Sequence, residues 1–320
     1  MVHMNLRSSR SLKIVLIMLV FLLGERICRG QNRCEIALPD IYGYQTLKCD
    51  FRLHTVFSDG EVWPTVRVQE AWRQGLDAIA ITDQAAGGSY DGSEQPVDRN
   101  KAYVIARPLA RQMGITLIPG SEIVRPLPQG PLVALFVNNA NLLDRKNWTE
   151  AVAEAREQNA FLMLTCPEFQ KQDMTKDSDF LSGCADSLVQ SGQRLGIEVY
   201  CGHSFCLLSL SFGWKKGATL MANSAARLPV KMEYPGGEHR PLTLVFASDH
   251  SAEAIRRALE AGRTAIFFHD TIIGDEQYLN PLFFNSIQVK TQKVGLRNKE
   301  LRRVDITNHS DVCNRKSKVQ

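Results

Sequence analysis

Phe51-Arg52-Leu53-His54-Thr55 runs through Val56 into Phe57-Ser58-Asp59-Gly60, and Gly75-Leu76-Asp77-Ala78-Ile79-Ala80-Ile81-Thr82-Asp83-Gln84 comes next along the chain. The first stretch closes a segment of alternating apolar character, Leu47 to His54, on a histidine and a Ser-Asp-Gly turn. In the second, Asp77 to Thr82 is a short, nearly all-apolar strand of the kind buried on both faces. Between them Trp63 to Gly75 carries helix signals, with Pro64 in the first turn and Gly75 as the stop.

The same alternation continues outward. Gln84 to Asp98 is loop, Arg99 to Met113 a helix capped by Gly114, and Ile115 to Pro119 a strand. Strands are predicted at Leu132 to Val137, Phe161 to Thr165, Ile197 to Tyr200, Thr219 to Ala222, Leu242 to Ala247 and Thr264 to Phe268. Helices are predicted at Asn147 to Gln158 and Ala252 to Ala261. Such alternation predicts a parallel α/β sheet, open or closed into a barrel. In these folds chemistry gathers at the carboxyl ends of the strands, which here carry His54, Asp83, Glu122, Cys166 and Asn223.

With 320 residues, 44% of them hydrophobic, the chain can bury the core of one large domain. A net charge of +4, concentrated at the two ends, gives no ground for expecting a nucleic-acid partner. At the amino terminus Arg7, Arg10 and Lys13 precede an apolar run from Ile14 to Leu23. That run is half of the roughly 20 residues a bilayer-spanning helix needs. Residues 1–30 are therefore expected to be a signal peptide, cleaved before Gln31, making the protein secreted or periplasmic with no transmembrane span left; an uncleaved anchor is the other reading. Of eight cysteines, removal of Cys28 leaves an odd number, and their scatter does not form a disulfide framework. Cys201 and Cys206 are spaced to reach each other or a metal. The basic stretch 288–320 is expected to be a solvated tail, or else a patch for an anionic surface.

His54, Asp59, Asp83 and Glu122 include good donors for divalent metals. Of the seven histidines, His54 is the one placed at a strand end before a polar turn. The quoted stretches, with Pro119-Gly120-Ser121-Glu122-Ile123, resemble the PHP (polymerase-and-histidinol-phosphatase) domain of metal-dependent phosphoesterases, close to a secreted phosphodiesterase subgroup. The similarity spans about Pro39 to Ile287, so residues 31–287 are taken as one PHP-like domain. The tail after it is then expected to be the remnant of a small β-domain that some relatives carry, Val304 to Asn308 resembling the start of one of its strands. The resemblance implies a PHP-type distorted seven-stranded (β/α) barrel around up to three metal ions.

Carried over residue by residue, the resemblance keeps His54, Asp59 and Glu122 as metal ligands, with Asp83 behind them, orienting ligands without itself touching the metal. Arg52, Gln84, Pro131, Cys166, Ala225 and Arg227 stand where the family's other ligands would be. Arg52 and Arg227 cannot ligate a cation, since guanidinium stays protonated, and each is expected to neutralise Glu122 or Asp59 instead. Cys166 as thiolate and His203 are the available substitute ligands. Asp249 and His250 imitate a late family motif, but Asp249 is better placed to cap the helix from Ala252.

Three functions follow. The first is a PHP phosphoesterase homologue that is catalytically impaired, a pseudoenzyme, because six of nine ligand positions are substituted. The second is an active phosphodiesterase with a reduced cluster of one or two divalent ions (zinc, manganese or iron) acting on a phosphate ester. The third is a protein without cofactor that binds a small anion through Arg52, Arg227 and Gln84 without hydrolysing it.

Overall fold

The computed structural model describes residues 32–85, 98–124, 131–165, 188, 194–296 and 299–312. The proposed signal segment, Cys166 and most of the stretch from 170 to 196 lie outside the described residues.

Strands β1 (Gln45–Leu53), β2 (Ala78–Ile81) and β3 (Thr116–Ile123) pair in parallel through α1 (Pro64–Arg73) and α2 (Lys101–Met113). Then the direction changes. β3 pairs antiparallel with β4 (Leu132–Leu135), and β4, through α3 (Trp148–Glu157), pairs antiparallel with β5 (Phe161–Leu164). β5 and β6 (Gly196–Cys201) are parallel, and β6 carries the two-residue β7 (Ser204–Phe205) on one side. Helix α4 (Leu207–Lys216) leads into β8 (Thr219–Asn223), which returns parallel to β6 and is followed by the short α5 (Val230–Glu233). On the far side of β1 lie β9 (Leu242–Ala247), β10 (Thr264–Phe268) and β11 (Thr271–Gly274), each antiparallel to its neighbour. The result is a mixed α/β fold on one curled, half-barrel sheet, not the wholly parallel sheet that alternation predicts. The chain between Ile123 and Leu132 is too short for the crossover that a parallel pair requires.

Inside the curl, Leu47, Cys49 and Phe51 pack with Ala78, Ala80, Ile118, Val133 and Met163. Helix α6 (Ala252–Glu260) closes that core with Ala254, Ile255, Ala258 and Leu259, an i, i+1, i+4, i+5 stripe. The outer face of the sheet buries Ile79, Ile81 and Leu244 against Val68 and Ala71 of α1 and Ala102, Ala106 and Ala110 of α2. Cutting Phe51 back to alanine would cost about 3–5 kcal/mol by opening the inner core.

Two register shifts decide what faces the inner rim. Along β1, Cys49 pairs with Ala78 and Asp50 with Ile79, yet Leu53 pairs with Ile81, so β1 carries one extra residue. Before the shift the odd-numbered side chains point inward; after it Leu53 packs outward and Arg52 and His54 turn in. Along β6, Glu198 pairs with Met221 but Tyr200 with Ala222, a second extra residue. It turns both Glu198 and Cys201 toward Arg52. Bulges of this kind re-aim side chains at barrel rims and sites.

The sheet curls until β8 reaches β1, β9 and β10, and side chains bond that seam where no ladder forms. Thr243 Oγ1 accepts from the Ala222 amide at 2.9 Å and donates to its carbonyl at 2.8 Å, and Thr264 Oγ1 donates to Leu220 O at 2.8 Å. Asn223 Oδ1 accepts from the Phe51 amide at 2.8 Å. Asp50 accepts from the Ser224 hydroxyl at 2.6 Å while holding Arg240 at 3.0 Å in a fully buried pair.

After α7 (Glu276–Ser286) the basic stretch is not a featureless tail. β12 (Ile287–Leu296) and β13 (Lys299–Asn308) pair antiparallel from Ile287–Asn308 to Leu296–Lys299. Val289 lies opposite Ile306 and Lys290 opposite Asp305, both favourable cross-strand pairs. Short period-2 runs, Ile287 to Thr291 and Val304 to Thr307, held this signal beneath the charge.

Candidate functional site

At the carboxyl rim of β1, β3, β6 and β8 the inward-turned residues meet. Arg52 donates from Nη2 to Glu122 Oε1 at 2.6 Å and from Nη1 to Glu198 Oε2 at 3.0 Å, with Cys201 Sγ 3.1 Å from Nη1. Glu198 is also held by Asn223 Nδ2 at 2.9 Å. Burial alone would favour neutral arginine, but the charges of Glu198 and Glu122 overcome it and raise the guanidinium further above its usual range. Burial and the Glu198 charge push the Cys201 thiol up to about 12. Cys201 is therefore a neutral thiol at physiological pH.

His54 is fully buried between two carboxylates. Its Nδ1 lies 3.1 Å from Asp59 Oδ1 and its Nε2 3.4 Å from Glu122 Oε2, neither contact with hydrogen-bond geometry. Asp59 sits on the rim, where Arg227 Nε donates to Oδ2 at 2.7 Å and Gln84 Nε2 donates to the same oxygen at 3.2 Å. Burial acts to raise the Asp59 carboxyl, but the closeness and charge of His54, and then the bond and charge of Arg227, hold it well below the usual carboxylate range.

The turn that delivers Asp59 is fixed from beneath. Asp83 accepts from the Thr55 amide at 2.7 Å, the Thr55 hydroxyl at 2.6 Å and the Ser58 hydroxyl at 2.5 Å. A Cβ on Gly60 would stand 2.6 Å from the His54 carbonyl carbon, so that position requires glycine. Arg67, fully buried on α1, donates to the carbonyls of His54, Ala226 and Leu228, each at 2.9 Å. It thereby ties the strand end carrying His54 to the loop carrying Arg227.

This site belongs to a fold that solved structures share. A two-domain Bacteroides vulgatus protein containing a predicted PHP-like metal-dependent phosphoesterase superposes with a TM-score of 0.75 and 37% identity, over 88% of this chain and 81% of its own. The chain belongs to the PHP-like phosphoesterase family. A Chromobacterium violaceum amidohydrolase with bound sulfate and no metal aligns at 15% identity and TM-score 0.45, over 69% of this chain and 97% of its own. A Bifidobacterium adolescentis protein named as a metal-dependent phosphoesterase aligns at 11% and 0.43, over 74% and 96%. No family model and no curated protein matches the chain.

PHP-like phosphoesterases are expected to hold divalent ions, and the donors can be tested against that. His54 Nε2 and Glu122 Oε2 are buried, lack hydrogen-bond partners and stand 3.4 Å apart, a bite that one ion could span. The remaining donors do not converge with them: His54 Nδ1 faces Asp59, Glu122 Oε1 is taken by Arg52, and Asp59 Oδ2 by Arg227 and Gln84. A fixed guanidinium 2.6 Å from Glu122 opposes a dication there. Among the described residues the set does not fit a cluster of two or three ions.

The other sequence candidates fall as follows. Pro131 offers the centre only a carbonyl, which accepts from Thr165 Oγ1 at 3.0 Å. Ala225 holds a left-handed backbone, φ 50°, and its carbonyl accepts from Arg227 Nη1. Cys166 lies outside the described residues. His203 has other partners: its Nε2 contacts Glu233 O at 3.0 Å and its ring packs on Tyr234. Asp249 and His250 follow β9, whose Ala247 pairs with Gln45, so they lie beyond the opposite end of β1. Asp249 accepts from the Ser251 amide, and the cap of α6 is Ser251, not Asp249 as its spacing suggests. Cys201 and Cys206 do not bridge each other: Cys201 Sγ lies against Arg52, and Cys206 Sγ caps α4 by accepting from the Ser209 amide.

Sequence reasoning anticipated Glu122 as a partner of Arg52 but missed Glu198 and Cys201. Glu198 and Cys201 differ by three positions, and a regular strand cannot point both inward; only the bulge in β6 does.

Proposed function

We propose that this chain is a PHP-family protein in which a network of charges takes the place of the hydrolytic metal cluster, leaving it impaired as a phosphoesterase. One observation carries the reading. Residues at substituted ligand positions bond to residues at retained ones: Arg52 to Glu122, Arg227 to Asp59, and Gln84 to Asp59. Each retained carboxylate is neutralised by protein where the parent chemistry needs it for metal and hydroxide. The same saturation weighs against an anion-binding role for Arg52, whose Nη1 and Nη2 already serve Glu198 and Glu122.

A second reading has its own support. The unpartnered His54 Nε2 and Glu122 Oε2 offer a two-atom bite to one divalent ion, zinc, manganese or iron, and with it residual action on a phosphate ester. The residues' own part would be limited: His54 and Glu122 would bind, and Arg227 on the rim would orient an anionic substrate.

Hydrolysis of bis-(p-nitrophenyl) phosphate with added Mn²⁺, Zn²⁺ or Fe²⁺ separates the two. The proposal expects no turnover above the ion-only blank. Turnover that disappears in His54→Ala and Glu122→Ala would overturn it in favour of the single-ion enzyme. A PHP-type distorted seven-stranded (β/α) barrel and export from the cytoplasm belong to the same proposal, the latter supported by the basic residues and short apolar run before Gln31. No helix among the described residues is long and apolar enough to cross a membrane.

A further inference from the structure

A second group of donors stands on the rim, apart from Arg52 and His54. His203 comes from the β6–β7 turn, Glu238 from the loop before β9, and His269 from the β10–β11 turn. One ligand atom from each lies within 4.8 Å of the other two. β9 is antiparallel to both β1 and β10, so β10 runs parallel to β1 and its end opens on the same rim. Sequence reading passed over His269 because it singled out His54 as the histidine at a strand end before a polar turn.

We infer that His203, Glu238 and His269 form a binding site for one first-row transition-metal dication, with Zn²⁺ the natural probe. Two imidazoles and one carboxylate suit zinc and its neighbours; calcium and magnesium prefer all-oxygen shells. A tetrahedral ion holds such donors about 3.4 Å apart at ligand distances near 2.1 Å. All three side chains are partly or well exposed and can close by that amount.

The surroundings favour ligation over an incidental cluster. His203 uses Nε2 toward the Glu233 carbonyl at 3.0 Å, so with that nitrogen donating, Nδ1 keeps its lone pair. Metal-bound histidines are oriented by this kind of bond from their second nitrogen. The His203 ring lies on Tyr234 at 4.7 Å, and the His269 ring against Phe268 at 3.6 Å, which limits their rotation. His269 Nδ1 and Glu238 Oε1 are already 2.7 Å apart.

The turn presenting His269 points the same way. Phe268 pairs with Thr271, so His269 and Asp270 are a two-residue hairpin loop, both left-handed at φ 48° and 55°. Asn-Gly serves such a loop with less strain. Here a histidine is held in the unfavourable backbone region instead, directly beside Glu238. Glu233 links this corner to the rim: its carbonyl faces His203, and its carboxylate accepts from the Arg227 and Leu228 amides.

The inference does not rest on the reading of the Arg52 centre, and the test keeps them apart. Chelator-stripped full chain is titrated with Zn²⁺ by calorimetry, beside His203→Ala, His269→Ala, Glu238→Gln and His54→Asn. The expected result is one saturable equivalent in the parent protein, weakened about 100-fold in each rim variant and unchanged in His54→Asn. Zn²⁺ should also raise the melting temperature of the parent and of His54→Asn, but not of His269→Ala. Glu238→Gln keeps side-chain shape and guards against a folding artefact. No saturable binding, or binding that survives in the rim variants, or binding lost in His54→Asn, would overturn the site.

Discussion

Arg52 and Glu122 meet through a 2.6 Å hydrogen bond with side chains only 6% and 2% exposed. Glu198, with no exposure at all, shares the same guanidinium. Arg52→Ala would leave two carboxylates buried without their cation, a change that costs about 3–5 kcal/mol. Urea denaturation at neutral pH should show that loss, and acid should return part of it as the carboxylates protonate. Arg52→Met combined with Glu122→Gln and Glu198→Gln should recover most of the stability, since removing charges together leaves none stranded. A loss below about 1 kcal/mol in Arg52→Ala would mean the network is not formed in solution.

Asp59 gives the acid limb of the stability profile. Its carboxyl is lowered in the folded protein despite partial burial, through His54 and Arg227. A lowered carboxyl adds stability above its unfolded value of about 3.9 and loses it as pH falls toward the folded value. Both partners are more than a third exposed, 41% for Arg227 and 37% for Asp59, so the contribution should stay within about 1 kcal/mol and shrink in salt. Asp59→Asn should flatten the profile of unfolding free energy between pH 5 and the acid transition. An unchanged acid limb in that variant would refute the pair.

Cys201 should be a poor nucleophile. Its thiol is pushed to about 12, so at pH 8 roughly one molecule in ten thousand carries the thiolate. Cys34, by contrast, is exposed to the reagent. Brief iodoacetamide treatment followed by peptide mass spectrometry should mark Cys34 and spare Cys201, and urea should make both react. The sign for stability is opposite to that of Asp59. A thiol raised on folding costs stability as pH climbs past its unfolded value of about 8.5.

The legible parts of this molecule are those that regular geometry controls. The β1–α1–β2 run, the helix from Ala252 and the strand-end residues His54, Asp83, Glu122 and Asn223 could be read because each sits in unbroken period-2 or period-3.6 pattern. The direction change at β4 could not, since Leu132 to Leu135 is equally apolar in a parallel or antiparallel strand. Glu198 and Cys201 were hidden by a bulge, which breaks the alternation that makes a strand readable. Glu238 was hidden in a loop, and its partners lie far along the chain, His203 before it across a helix and β8 and His269 after it across β9 and β10, so only the fold brings the three together. Asp249 shows the reverse error: its spacing imitates a helix cap, but the residue two places on does the capping.

Ala225 supplies a test with opposite signs at adjacent positions. Its backbone is left-handed, φ 50°, where a Cβ costs roughly 1–2 kcal/mol relative to glycine. Glycine also loses more chain entropy on folding, about 0.4–1 kcal/mol. The difference leaves Ala225→Gly more stable than the parent by about 0.5–1 kcal/mol, although its methyl is buried. Ala226 has no positive φ, is fully buried and bridges to Leu53 in the seam. Ala226→Gly should therefore lose about 1 kcal/mol through entropy and lost packing. Urea midpoints moving in opposite directions would show that the loop holding Arg227 against Asp59 is kept under backbone strain, while two losses of similar size would show it is not.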